Sequence, residues 1–222
     1  MAISIAIDGP SGAGKSTLSK ALAKKLGYIY VDTGAMYRTI GLYVYKNGIS
    51  PDDIKSVADA LDKINIDIKF INGEQRVFLN GDDVSEDIRV HIISDYASKV
   101  SAIQSVRDFL LETQRNFAKD NNVVMDGRDI GTVVLPDADV KIYLTASAHK
   151  RAERRYNELT QKGQVVNFDD ILKDVIDRDN RDMNRDVSPL KVADGAVIID
   201  NTECTFEGSL ELLEKTVKEY VQ

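Results

Sequence analysis

Gly9-Pro10-Ser11-Gly12-Ala13-Gly14-Lys15-Ser16 follows directly on the apolar run Ile3-Ser4-Ile5-Ala6-Ile7-Asp8 and opens a helical stretch that runs from Ser16 to Leu26. A G-x-x-x-x-G-K-S pattern between a strand and a helix is a loop built to hold phosphate. Its glycines let successive backbone N–H groups turn inward around an anion, and the following helix adds the positive end of its dipole. In such a loop Lys15 reaches the β- and γ-phosphates and Ser16 offers its hydroxyl to Mg²⁺. The chemistry is therefore the handling of nucleotide phosphates.

Working outward, runs rich in Ile and Val recur at 3–7, 28–31, 122–125, 140–144 and 196–199. They lack the in–out alternation of a half-exposed sheet, as expected of central strands covered on both faces. Helical patterns lie between them at 16–26, 34–47, 87–119 in two or more pieces, 148–161, from an Asn167 cap to about Arg185, and 206–221. Alternating strand and helix predicts a three-layer α/β/α fold with a central parallel sheet of about five strands and its ligand at the strands' carboxyl ends. One stretch breaks the rhythm. Ile66-Asp67-Ile68-Lys69-Phe70 and Val77-Phe78-Leu79 flank Asn72-Gly73, a hairpin signal. Residues 64 to about 100 then read as a small antiparallel insert forming a flap over the substrate cleft.

At 222 residues the chain holds one α/β domain with insertions. A net charge of −7 counts against broad nucleic-acid binding. A single cysteine, Cys204, supports neither an internal disulfide nor a metal cluster. No run approaches the 18 apolar residues of a membrane span, and the apolar start is too short for a secretory signal, so a cytoplasmic protein is expected. His91 and His149 are isolated and take no role.

Six of the twelve arginines, Arg151, Arg154, Arg155, Arg178, Arg181 and Arg185, fall within 35 residues. At about 100° per residue, Arg178, Arg181, Asp182 and Arg185 share an arc of about 100° on one helix. Like charges at that spacing disfavour an empty helix, whereas two nucleotides brought together need just such neutralisation. The GTPase base reader Asn-Lys-x-Asp and the protein-kinase loops are absent from the sequence. Two further segments, 32–38 (DTGAMYR) and 124–132 (VMDGRDIGT), place acids and arginines at strand ends, where a helix N-terminus and an Arg hold an anion. The acceptor is thus read as itself a phosphate. Such a nucleophile is already anionic near neutral pH and needs no general base.

With these blocks in order, IAIDGPSGAGKST, VDTGAMYR, DVSEDIR, MDGRDIGTVVLPDADVKIYLTAS, RAERRYNEL and RDNRDMNRDVSPL, the sequence closely resembles the bacterial cytidylate kinases essentially end to end. The resemblance implies transfer of the γ-phosphoryl of MgATP to CMP or dCMP; a monomer that contacts neither nucleic acid nor membrane is expected. It implies a core (1–63, 101–149 and 186–222), a monophosphate-binding insert (about 64–100) and an Arg-rich helical lid (about 150–167, with the following helix to 185). By position, Gly9, Pro10, Ser11, Gly12, Ala13, Gly14, Lys15, Ser16 and Thr17 would hold ATP. Arg38, Arg128 and Arg185 would hold the acceptor phosphate near Tyr37, and Thr33 keeps a hydroxyl where many members have Ser. Ser98, Arg107 and Asp129 would meet the cytosine, and Arg178 with Asp182 the ribose. Arg151, Arg154 and Arg155 would act on the transferring phosphoryl group together with Lys15, Arg128 and Arg185. Ser16 and Asp126 would serve Mg²⁺, Asp126 by its strand-end position.

Overall fold

A computed structural model of the chain describes residues 2–71 and 73–221. Its main sheet is parallel, built from β1 (Ser4–Asp8), β2 (Ile29–Asp32), β6 (Val123–Gly127), β7 (Val140–Thr145) and β8 (Val197–Asp200) in the order β2-β6-β1-β7-β8. The five apolar runs of the sequence are these strands, shifted by a residue or two at their ends. Alternation along each strand sorts side chains between two layers. Ile5 and Ile7 of β1 join Val124, Ile142 and Ile199 in a core covered by α1 (Lys15–Leu26) and α8 (Phe206–Tyr220). Ala6, Val31, Val123 and Met125 point the other way, against α2 (Thr33–Lys46), α4 (His91–Val100) and α5 (Gln104–Lys119). At about 0.8 kcal/mol per buried CH₂, these two layers supply most of the stabilisation.

The insert contains the expected antiparallel pair, β3 (Ile66–Ile71) with β4 (Glu74–Leu79), in register from Ile66↔Leu79 to Ile71↔Glu74. Gly73 takes a positive φ of 77° at its turn. Asn72, the other half of that turn signal, lies outside the described residues. A third strand, β5 (Asp82–Asp83), and a helix, α3 (Ile54–Leu61), carry no expectation from sequence. α3 is short and buries only Val57, Ala60 and Leu61, although Asp53 caps it by accepting from the Ser56 N–H at 3.1 Å. Gln75 of β4 ties the small sheet to the large one: its Oε1 accepts from Asp32 N at 2.8 Å and its Nε2 donates to Asp32 O at 3.2 Å.

α6 (Ala148–Gln161) and α7 (Phe168–Asn184) form an antiparallel pair with a small core of Ala152, Leu159 and Ile171. Asn167 caps α7 as expected, accepting from Asp169 N and Asp170 N. No described helix is long and apolar enough to cross a membrane.

Candidate functional site

At the carboxyl end of β1 the chain turns sharply through Gly9. A Cβ there would lie 1.9 Å from the Leu144 carbonyl oxygen of β7, so only glycine fits. Gly12 and Gly14 take φ of 78° and 89°, and Lys15 opens α1. Lys15 is buried and its Nζ donates to the Pro10 carbonyl at 2.7 Å. Burial and the neighbouring Arg128 hold its pKa well below the usual lysine range, which leaves an ammonium in need of an anion.

Ser16, one residue on, donates from Oγ to Asp126 Oδ2 at 2.8 Å, and Tyr30 donates its hydroxyl to Oδ1 at 3.0 Å. The Asp126 carbonyl accepts from Thr33 Oγ1 at 2.8 Å. Burial, with the Asp32 carboxylate nearby, raises Asp126 to about 6. Among the described residues no group of three or more His, Cys, Asp or Glu is placed to hold a metal ion. A hydroxyl beside one carboxylate, both hard oxygen donors, nonetheless fits Mg²⁺, which takes its remaining ligands from phosphates and water.

The far side of the site is built by elements remote in sequence. Asp32 caps α2 by accepting from Ala35 N at 2.9 Å and also accepts from Arg38 Nη2 at 2.7 Å. Arg107 of α5 is almost wholly buried and donates to Ser188 Oγ, to the Ser101 carbonyl and to Asp129. Tyr37 lies beneath it, with its ring 5.4 Å from the guanidinium. Arg128 Nε donates to Asp182 Oδ2 at 2.8 Å. Burial would raise Asp182, but Arg128 and Arg178 outweigh it and hold the carboxyl below the usual range.

Three buried polar atoms here have no partner in the protein: Ser98 Oγ, Arg178 Nε and Arg185 Nη2. Burial and the cations Arg128, Arg38 and Arg181 push Arg178 down to about 10, the signature of a charge short of an anion. These three residues line one cleft of about 1090 Å³ with Lys15, Ser16, Thr17, Arg38 and Asp126. The cleft thus joins the phosphate-binding loop to the arginine cluster, at the carboxyl ends of the strands where ligands of such folds sit.

Four pairings depart from the sequence reading. Asp182 bonds Arg128 rather than Arg178. Arg181 pairs with Asp95 of α4 at 2.8 Å, both of them still lining the cleft. Arg151 spends its donors on Ala146 O, Ser11 O and both oxygens of Asp179, while Arg154 donates to Ala13 O and to Asn201. Arg151 and Arg154 thus grip the phosphate-binding loop by its carbonyls, and Arg155 pairs with Glu158 at 3.1 Å. Sequence reasoning missed Asn201, whose Nδ2 donates to Ala13 O at 2.9 Å, and Asp8, whose carboxylate accepts from Ile130 N and Gly131 N at 2.8 and 2.7 Å. Asp8 fixes the turn that follows Asp129, and burial raises it to about 7. Its place as the last residue of the strand before the loop was the available signal.

Comparison with known proteins agrees with this geometry. The family model described as Cytidylate kinase matches residues 5–220. The cytidylate kinase of Caldicellulosiruptor bescii is 52% identical over 223 residues, covering 99% of each chain. That of Caldanaerobacter subterraneus subsp. tengcongensis is 50% identical over 98% of this chain and 96% of its own. Among solved structures, an uncharacterized protein from Eubacterium ventriosum shares the fold at a TM-score of 0.51 and 13% identity, covering 97% of this chain and 98% of that one.

Proposed function

The chain belongs to the cytidylate kinase family, which makes it a nucleoside monophosphate kinase, and from that premise we propose that it moves the γ-phosphoryl of MgATP onto CMP or dCMP. The observation that carries the reading is the set of orphaned donors, Ser98 Oγ, Arg178 Nε and Arg185 Nη2, in the same cleft as Lys15 and Ser16. Buried donors without acceptors cost about 1–3 kcal/mol each unless a ligand supplies the acceptor. A nucleoside monophosphate brings phosphate, ribose and base oxygens in one molecule.

In this reading residues 9–17 hold the ATP phosphates, with Lys15 at the β- and γ-groups. Ser16 and Asp126 hold Mg²⁺, which when bound neutralises phosphate charge. An oxygen of the acceptor phosphate forms the new bond to the γ-phosphorus as the bond to the β,γ-bridging oxygen breaks, leaving ADP with CDP or dCDP. The acceptor is already ionised, so no side chain takes a proton, and rate comes from alignment and charge. Arg38, Arg128 and Arg185 fix the acceptor phosphate, and Asp182 with Arg178 the ribose. Arg107, Asp129 and Ser98 read the cytosine, whose amino group and adjacent acceptors match an Arg–Asp pair in one orientation. Residues 64–100 serve as the monophosphate-binding insert, and the α6–α7 pair as the lid that brings Arg155 to the transferring group. Arg151 and Arg154 act from the loop they already clasp.

The test is ADP production from MgATP with CMP, dCMP, UMP, AMP and GMP added separately. CMP should exceed UMP by at least about tenfold in kcat/KM, since uracil mismatches at least one buried polar group. ATP turnover independent of any monophosphate, or preference for UMP or AMP, overturns the reading.

A further inference from the structure

Arg107 and Arg185 are both cations, both largely buried, and close enough that Asp129 lies between them: Arg107 Nη2 donates to one of its oxygens, and Arg185 Nη2 stands 4.0 Å from the other. Two guanidiniums so placed repel, and burial together with Arg107 lowers the Arg185 pKa. Something other than the carboxylate must fix their spacing.

Two serines do so in a crossed pattern. Ser188 accepts from Arg107 Nε at its hydroxyl, at 3.0 Å, and from Arg185 Nε at its carbonyl, at 2.8 Å. Ser101 does the reverse, accepting from Arg107 Nη1 at its carbonyl, at 3.0 Å, and from Arg185 Nη1 at its hydroxyl, at 3.1 Å. Each guanidinium is thereby held at both Nε and Nη1, on different edges of its plane, and its Nη2 remains for Asp129 or a ligand.

Ser188 adopts a φ of 47°, one of only two described non-glycine residues with positive φ, and it precedes Pro189. Such a residue ordinarily favours extended backbone. A left-handed serine at this position persists only where its surroundings over-determine it. The two hydrogen bonds from arginines 81 and three residues away are that determinant. Ser188 also lies four residues beyond the end of α7, which makes it the point where the lid helix meets the base pocket.

We infer that Ser188 and Ser101 form a positioning clamp that locks the base-reading Arg107 and the phosphate-reading Arg185 into one geometry, so that base discrimination depends on the Ser188 hydroxyl and acceptor-phosphate affinity on the Ser101 hydroxyl. The inference rests on the roles given above to those two arginines.

Steady-state kinetics with CMP and UMP on the parent, Ser188→Ala, Ser188→Gly and Ser101→Ala separate the possibilities. Ser188→Ala keeps the carbonyl and removes only the acceptor for Arg107, so the CMP-to-UMP ratio of kcat/KM should fall about threefold to tenfold. Ser188→Gly loses the same hydroxyl while relieving the positive φ, so it provides a folded reading if the alanine variant does not fold, and its ratio should fall equally. Ser101→Ala should raise KM for both acceptors together and leave the ratio within about twofold of the parent, as expected when binding common to both is lost. An unchanged ratio in either Ser188 variant overturns the clamp while leaving the proposed function standing, and so does an equal fall in Ser101→Ala. A parent without preference for CMP overturns both.

Discussion

Replacing Asp126 with Asn sets stability against activity. The carboxylate is buried, accepts from Ser16 and Tyr30, and lies near Asp32 and Lys15. Its pKa stands at about 6 against an ordinary 3.8. A carboxyl raised in this way contributes stability that is fully present below about pH 3.8 and is lost as pH rises through about 6. A gap of about two pKa units, at 1.36 kcal/mol each, is on the order of 3 kcal/mol of strain in the protein at pH 8. Asn removes the charge at the same size. Its amide keeps an acceptor for one hydroxyl, and the other hydroxyl rotates to accept from the new N–H, with a loss of about 1 kcal/mol in bond strength. The net gain of about 2 kcal/mol corresponds, for a chain of this size, to a Tm about 4–8 °C higher at pH 8. At pH 4, where the parent's carboxyl is itself protonated, the two proteins should melt within about 2 °C of each other. Turnover with MgATP and CMP should fall about a hundredfold or more, as for loss of one preorganised electrostatic contact. Scanning calorimetry of the metal-free proteins at both pH values, with a coupled ADP assay, reads all three. A variant less stable than the parent at pH 8, or one turning over within threefold of it, refutes the reasoning.

Lys15→Ala should lower turnover by roughly a hundredfold while leaving Tm no lower than the parent's, because the lost ammonium was buried and starved of an anion; turnover within threefold would show that the ammonium does not act on the phosphates. Asp182→Ala frees Arg128 as well as removing the proposed ribose acceptor. By calorimetric titration it should weaken CMP by about 5- to 150-fold with MgATP nearly unchanged, and equal losses for both nucleotides would make Asp182 a structural residue of the lid helix.

The phosphate-binding loop, the five strands and the capped helices were legible because each is a local pattern: Gly9–Ser16 between an Ile-rich run and an amphipathic one, or Asn167 ahead of two acids. α3 was equally legible, with Asp53 as its cap and Val57, Ala60 and Leu61 at the i, i+3 and i+4 spacing of one helix face, and was missed because it is only eight residues long, whereas β5 has two aspartates and no pattern at all. The cleft's membership was readable from the family's motifs, and the structure gathers those residues in one place. Their pairings were not. Asp182 has Arg178 four residues back on its own helix face, yet it bonds Arg128, 54 residues away, and Arg151 finds Asp179 across the α6–α7 pair. Which of several nearby cations a carboxylate takes depends on tertiary distances that spacing within one helix does not contain. Ser188 was hidden for the same reason, as one of the arginines it meets, Arg107, lies 81 residues away.

The sheet order has a consequence for how the chain acquires its function during synthesis. β1 precedes the other strands of the sheet in the chain and lies in its centre, and both its neighbours come much later, Ile5 pairing with Val124 on one edge and Val140 on the other. A nascent chain that stops short of β6 therefore carries the whole phosphate-binding motif but lacks both strands that flank β1. Its Ile5 and Ile7 then have bare backbone on both edges, the kind of segment that chaperones cover and that aggregates when left open. The loop itself waits longer still, since the Ala13 carbonyl is held by Asn201 from 188 residues downstream. Nucleotide affinity should thus arise late and all at once, once Asn201 has been made.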